Sequence, residues 1–310
     1  MFVSIRGRVL VNVEALNMTE SVGNYVKHRR VPVVIPETYT TFFVPAVSGE
    51  SIAHGFQVVL AEEGKKNGLP VCKLCEKGIF LKSTNEEVFK GAFGQNPPNN
   101  EFEFEKFVVN NCLVEDIGGF MYASRTGRNV KRTSNFSTGY MIPVKEVLEN
   151  VVIEPQLHSR YALGTPYVKE GGQMIYYVEL SSAVYTFSLD LDTRYIGCAT
   201  FDYEHAGTEV VNDRKKRIEV TLDAIRRFLI EFMFGAKKTR FLPVIEWESL
   251  IIAVSDDVWT IPAPFTKNYV EKARKKMEKV SYNTKLFIYP EDGEFEEVVI
   301  SGIEEAKRRL

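Results

Sequence analysis

The sequence predicts an α+β domain in which helices cover one side of a single sheet. Three observations carry that expectation. Residues 3–15 alternate apolar and polar side chains with a period of two. Residues 213–234 repeat apolar side chains at helical spacing. Strand-like and helix-like stretches then interleave through the second half of the chain. At 310 residues the chain has the length of about two average domains and buries enough surface to need no disulfide staple.

In the first strand, Val3, Ile5, Val9, Val11, Val13 and Ala15 share one face with Gly7. Ser4, Arg6, Arg8, Asn12 and Glu14 share the other, so one face packs on a core and the other meets solvent or a ligand. Solvation accounts for the two arginines; phosphate contact is the alternative. A turn-rich segment, Leu16 to Asn24, leads to the basic run Lys27-His28-Arg29-Arg30. A short strand, Thr40 to Pro45, enters the turn Ser48-Gly49-Glu50-Ser51. Ser48 is a good N-cap there, and Ile52, Phe56, Val59 and Leu60 follow at helical spacing. At about 100° per residue, His54 lies ~180° from the centre of that apolar stripe and faces away from the helix's core.

From Gly64 to about Phe120, breakers such as Gly68-Leu69-Pro70 and Gly94 to Asn100 flank a helix-like piece, Asn85 to Phe93. The segment reads as an insertion of roughly 60 residues with its own small structure. Tyr140 to Val144 and Val151 to Ile153 read as strand material around a short helix. Residues 155–173, with Gly164, Pro166, Gly171 and Gly172, suit a protruding hairpin. Met174 to Leu191 is a long strand or strand pair. The amphipathic helix Asp213 to Phe234 has Ile218, Leu222, Ile225, Leu229 and Phe232 on one side, Asp213 at its N-cap and Gly235 at C′. A strand at Leu242–Val254, a helix at Thr266–Val280, a strand at Leu286–Tyr289 and a short charged helix close the chain.

Composition narrows the class. Hydrophobic residues at 45% and charged residues at 26% exclude wholesale disorder. No apolar run approaches the ~18 residues of a membrane span, and the N-terminus alternates from Phe2 onward unlike a signal peptide. The expectation is a soluble, cytoplasmic protein with no membrane partner. Lys and Arg total 39 against 41 Asp and Glu, a net charge of −2. That balance excludes a uniformly basic coat but allows a basic stripe. Of four cysteines only Cys72 and Cys75 are close, which is not a secreted disulfide framework.

Several constellations carry chemistry, each beside a plainer reading. A helix start such as 48–51 offers backbone amides and the positive dipole end to an anion, and Gly49 lets a phosphate approach; a well-capped helix is the plain alternative. Gly49-Glu50-Ser51-Ile52-Ala53 is one glycine short of a nucleophile elbow and its serine lies in a helix cap, so a hydrolase is rejected. His28, His54, His158 and His205 show no metal-ligand spacing. Cys72-Lys73-Leu74-Cys75 is half a zinc site that Cys112 or Cys198 could complete only by folding; buried thiols or a disulfide are the alternative. Asp190-Leu191-Asp192 and Asp256-Asp257 sit at strand ends, where turn capping explains them. No metal, cofactor or catalytic group is expected.

The basic elements are more informative as a group. Lys27 to Arg30, the stretch Ser124 to Ser134 with Arg125, Arg128, Lys131 and Arg132, and Arg160 with Lys169 alternate with Asn, Ser, Thr or Tyr. Such neighbours bond phosphate and sugar oxygens or stack on bases. A solvated loop explains each alone; together they point to a polyanion groove. Single-stranded RNA is the favoured ligand, since exposed aromatics and Asn read splayed bases.

FVPAVSGESIAHGFQ at 43–57, VEDIGGFMY at 114–122 and VKRTSNFSTGYMIPV at 130–144 occur in that order. These strings resemble the DevR-type CRISPR-associated (RAMP) family, the backbone subunits of type I Cascade surveillance complexes, and above all its archaeal type I-A branch. The last third matches only in its general pattern of strands and helices. The resemblance implies a modified RRM-like (ferredoxin-like) palm over 1–63 and 121–310, an inserted fingers region over 64–120 and a protruding thumb hairpin at about 159–173. It implies a non-catalytic subunit that binds CRISPR RNA and stacks with copies of itself into a helical filament along the guide. Such a subunit joins other Cascade subunits and presents guide bases to a target DNA strand in antiviral defence.

Carried over by position, Ser48, Gly49, Ser51 and His54 line the RNA backbone groove, and Asn17 and His158 approach it. Arg29, Arg30, Lys131 and Arg132 supply charge, and Lys27, His28, Arg125, Arg128 and Arg160 complete the expected RNA-binding set. Relatives in type III complexes cut target RNA with an aspartate just before a Pro-Val-Val-like strand. Here that neighbourhood reads Arg29-Arg30-Val31-Pro32-Val33-Val34, without an acid. A metal-assisted ribonuclease would lack its key carboxylate. A metal-dependent target-RNA endoribonuclease is therefore the alternative function, and a protein-only regulatory module a third.

Overall fold

The computed structural model describes residues 1–15, 18–124, 127–161, 173–232, 242–280 and 282–310. The chain opens with β1 (Phe2–Glu14), β2 (Met18–Val22), β3 (Tyr25–His28), β4 (Arg30–Val34) and β5 (Thr41–Pro45). Four helices follow: α1 (Gly49–Lys66), α2 (Glu86–Phe93), α3 (Glu101–Asn111) and α4 (Leu113–Gly118), with a 3-10 turn at Cys75–Lys77. Next come β6 (Met121–Ala123), β7 (Asn129–Lys131), β8 (Phe136–Thr138), β9 (Val152–Tyr161) and β10 (Gln173–Asp192). The last elements are α5 (Arg214–Glu231), β11 (Val244–Ser255), α6 (Tyr269–Lys279), β12 (Thr284–Tyr289) and α7 (Phe295–Arg308). Among the described residues no helix is long and apolar enough to cross a membrane.

The alternation of β1 places it inside an eight-stranded sheet, antiparallel to β10 on one side and β11 on the other. β12 extends the sheet beyond β11, while on the 20-residue β10, strand β9 pairs along 173–182, β3 at Tyr177 and Val178, and β8 at 189–191. The β3–β10 pair is parallel and the others are antiparallel, so the sheet is mixed. Val3, Ile5, Val9 and Val11 pack with Ile52 and Phe56 of α1, Ile225 and Phe228 of α5, and Val299 and Ile303 of α7.

One expectation is corrected here: the sheet is covered on both sides. Ile251, Ala253 and Ile288 point into a second cluster with Trp259, Ile261, Tyr269 and Ala273, which places α6 on the opposite face. Leu250 to Val254 is a continuous apolar run, as a strand buried on both faces requires. The polar face of β1 is likewise closed. Arg6 forms a bidentate pair with Asp190 (2.7 and 2.8 Å), and Arg8, 2% exposed, bonds Glu146 at 2.9 Å and Glu248 at 3.3 Å. Neither arginine is left for phosphate, and Asp190 is an ion-pair partner in place of a turn cap. At the strand's end a register shift and a positive φ at Val13 turn Val13 outward and Glu14 inward, against the simple alternation.

The 64–120 segment is more helical than its breakers imply, because those breakers mark helix ends. Asn85 and Asn100 cap α2 and α3 by accepting the Val88 and Glu103 N–H groups at 2.9 and 2.7 Å. Phe89, Phe104, Leu113 and Ile117 join the same contiguous core as β1. In α5 the expected cap does not form: Asp213 Oδ1 accepts from Arg217 Nε at 2.6 Å instead. Gly235 lies outside the described residues.

Arg132, expected to face RNA, is fully buried at the centre of an ion-paired network. Its Nη1 reaches Glu105 at 2.8 Å and the Cys198 carbonyl at 2.6 Å, its Nη2 reaches Asp116 at 2.7 Å and the Tyr195 carbonyl at 2.8 Å, and its Nε donates to the Asp116 carbonyl at 2.9 Å. Arg217 approaches the other Asp116 oxygen at 3.2 Å and donates to the Val109 carbonyl at 2.7 Å. Glu105 accepts the Thr200 and Phe201 N–H groups, both at 2.9 Å. Replacing Arg132 by Ala would leave two carboxylates buried beside a single guanidinium. The expected loss is about 3–5 kcal/mol of unfolding free energy in urea. A loss below about 1 kcal/mol would mean the network does not hold α3 and α4 in place.

Candidate nucleic-acid interface

The turn at 48–51 folds as a capped helix start. Ser48, in extended backbone, accepts the Ser51 N–H through its Oγ at 3.2 Å and is 2% exposed. Ser48 is thus a buried helix cap where an exposed groove residue was expected. Gly49 is required by packing: a Cβ there would stand 2.7 Å from the Thr138 carbonyl oxygen. Thr138 Oγ1 also donates to the Gly49 carbonyl at 2.7 Å, which locks α1 onto β8. Ser51 is half-buried on the first turn. His54 faces outward as its angle on the helix demands, with its ring 5.0 Å from that of Phe80.

An open groove of about 600 Å³ surrounds His54. Gly49, Ala53, His54 and Gln57 of α1 form one side, Phe80 and Lys82 another, and Ser134, Phe136, Thr138 and Tyr140 a third. Lys82 Nζ donates to the Gly119 carbonyl at 2.9 Å and also to that of Gly118. Tyr140 is exposed, and its hydroxyl accepts from Arg29 Nη1 at 3.5 Å. Arg29 reaches this rim because its carbonyl takes the Ala46 N–H at 3.0 Å, two residues before the helix cap. Ser134 is shared with a second groove of about 700 Å³ lined by exposed Lys131 and Tyr195 and half-buried Phe201. Glu50 is the one acidic side chain among the described residues lining the His54 groove.

Gly49, His54, Arg29 and Lys131 are therefore brought to one continuous region; most other expected residues are not. His28 is buried, and its backbone N–H donates to Glu179 Oε2 at 2.8 Å. Arg30 pairs with the same carboxylate at 2.7 Å, so Glu179 neutralises part of the basic run. Lys27 is half-buried on β3. Arg128 lies over the rings of Phe104 and Tyr122 at 5.9 and 5.6 Å and donates to the Asn99 carbonyl, contacts that tie it to the start of α3. His158 stacks on Tyr176 with centroids 5.2 Å apart. Thr138 of the groove pairs with Leu189, and the stretch of β10 from Tyr176 to Leu189 spans about 40 Å at ~3.3 Å per residue. Asn17, Arg125 and the Arg160 side chain lie outside the described residues. Phe80 and Lys82 carry no local signal, whereas Tyr140 falls within the third quoted string.

The mixed sheet with its helices is the fold of subunits in solved surveillance complexes. Two chains, each titled as a CRISPR RNA-guided surveillance complex and one of them as its pre-nicking state, superpose with TM-scores of 0.55 and 0.50. Each match covers 99% of this chain and 100% of the other, at 11% and 10% identity, so the likeness is one of fold. The chain itself belongs to the DevR/Csa2 family. The family model described as CRISPR-associated negative auto-regulator DevR/Csa2 matches residues 5–274. CRISPR-associated protein Cas7/Csa2 1 of Saccharolobus solfataricus is 39% identical over 280 residues, covering 87% of this chain and 85% of that protein. The CRISPR-associated aCascade subunit Cas7/Csa2 2 of the same organism is 39% identical over 256 residues, with 80% and 78% covered. A Cas7/Cst2/DevR protein of Thermoproteus tenax is 26% identical over 266 residues, with 82% and 75% covered.

The Gly49→Ala variant should lose about 1–3 kcal/mol of stability, since its methyl meets backbone that cannot swing aside. A variant as stable as the parent in urea would show that α1 and β8 have room to part. Burial also holds the His28 imidazole below its ordinary pKa. The unfolded chain therefore takes up that proton first, so this contribution is complete above about pH 6.5 and shrinks as acidity rises through the folded value. Urea unfolding at about pH 7.5 and 5 should show a smaller acid loss in His28→Leu than in the parent. Equal losses would place the acid sensitivity elsewhere.

Proposed function

We propose that this protein is a CRISPR RNA-binding backbone subunit of a type I-A Cascade surveillance complex, cytoplasmic and without nuclease activity. The carrying observation is the groove around His54, where imidazole, exposed Tyr140 and the Arg29 guanidinium converge beside the start of α1. Cations and hydroxyls of this kind hold sugar and phosphate, and exposed rings accept splayed bases. The family and the names of its relatives point the same way.

On this reading the main sheet with α1, α5 and α7 is the modified RRM-like palm, 64–120 the fingers, and the β9–β10 hairpin with residues 159–173 the thumb. Gly49, Ser51, His54, Arg29, Lys131, Lys82 and Tyr140 follow the RNA backbone. His158 and Arg160 act about 40 Å away along β10, at a different point of the RNA, as head-to-tail copies in a filament would require. Guide bases left open between thumbs pair with the target DNA strand, and other Cascade subunits close the ends. The ribonuclease alternative is weaker. Arg29 holds the position before β4 and Arg30 opens the strand, and among the described residues no three carboxylate or imidazole groups converge as metal ligands.

If each copy neutralises about four phosphates, log affinity for single-stranded RNA should fall with log salt at a slope near −3, taking ~0.7 per contact. Arg29→Ala and Lys131→Ala should each weaken all sequences alike and lower the slope by under about one unit. A flat salt response in filter binding would remove the scaffold reading. Cleavage of labelled guide-complementary RNA by the assembled protein with magnesium would restore the nuclease.

A further inference from the structure

Away from the groove, three thiols converge. Cys72 follows α1, Cys75 opens the 3-10 turn, and Cys112 separates α3 from α4. All three are buried, and their sulfurs lie within 4.8 Å of one another. Tetrahedral zinc with Zn–S bonds of ~2.3 Å holds sulfurs about 3.8 Å apart, so small rotations would close the set on an ion. Cys198, which the sequence offered equally with Cys112, faces the Arg194 and Ile196 carbonyls instead.

A fourth donor is already in place. Glu115 stands one helical turn beyond Cys112, and its Oε1 is 2.9 Å from Cys75 Sγ. Its Oε2 is buried with no hydrogen-bond partner, a costly state for a carboxylate, whereas the buried acids Glu105 and Asp116 are bonded to Arg132. Backbone donors complete the shell: the Cys75 N–H points to Cys72 Sγ at 3.5 Å and the Cys72 N–H to Cys112 Sγ at 3.4 Å, an arrangement that favours thiolates.

We propose that Cys72, Cys75, Cys112 and Glu115 bind one zinc ion. Binding forms three Zn–S bonds and one Zn–O bond and releases the thiol protons to solvent. All four ligands are protein groups, so the ion is structural and carries no open position for chemistry. It would pin the chain after α1 to the α3–α4 junction. Glu115 Oε1 also accepts the Leu81 N–H at 2.9 Å, which ties this centre to the strip bearing Phe80 and Lys82. Zinc binding stands on the cluster alone and does not require the groove to hold RNA.

The test is metal analysis of the full chain, purified reduced and without chelator. About one zinc per chain is expected, with at least about tenfold less in Cys75→Ser and Cys112→Ser and no change in Cys198→Ser. Reconstitution of the stripped parent with Co²⁺ should give the intense visible bands of tetrahedral thiolate coordination, shifted in Glu115→Gln. That spectrum decides the matter even where a serine variant fails to fold. A parent chain without zinc and without cobalt–thiolate bands would overturn the proposal. So would metal retained by the triple cysteine variant, or a disulfide among these cysteines found by mass spectrometry. RNA binding measured on the same samples separates the two readings: zinc without RNA affinity would sink only the groove.

Discussion

Two arginines and two acids, sealed from water in the centre of the molecule, set the geometry of everything around them. Arg132 and Arg217 carry the positive charges, Glu105 and Asp116 the negative ones, and each sits on a different part of the chain. The cluster therefore joins α3 and α4 to the strand leading into the groove, to the turn at 195–200 and to α5. Such a cluster tolerates no half measure: the charges balance only when all four charged side chains meet, and burial makes any unpaired member costly. It is a device for specifying one arrangement more than a source of net stability.

The same economy of charge shapes the surface. Most of the basic side chains that look available in the sequence have partners within the fold. Glu179 takes Arg30, Asp190 takes Arg6, and Glu146 with Glu248 takes Arg8. Beside His54 the groove carries Lys82 and the acid Glu50, is flanked by Tyr140, and is bounded by the close contact of Gly49 with Thr138.

The helical segment between α1 and β6 links these two features. It contributes Glu105 and Asp116 to the buried network, the cysteine cluster to the far side of α4, and Phe80 and Lys82 to the groove wall. Its small helices share the main core, so motion of this segment would disturb the groove directly. A metal centre at its base would act in the irregular stretch between α1 and α2.

Much of the scaffold was legible locally. The period-two pattern of β1, the Ser48 cap, the outward angle of His54 and the apolar stripe of α5 each depend on residues within a few positions of one another. The three quoted strings carried the family, and the family match runs on to residue 274, further than those strings reach. Partners distant in sequence were not legible. Nothing near Arg132 announces that Glu105 and Asp116 will surround it, and nothing near Arg128 that it will lie over Phe104 and Tyr122. Both faces of β11 proved buried because α6 returns to the sheet, and Cys112 was chosen over Cys198 only when α3 and α4 folded back on α1. Periodicity and capping are short-range properties that the sequence determines by itself. Which charges are neutralised and which thiols meet depends on contacts between remote segments, and those the tertiary structure alone decides.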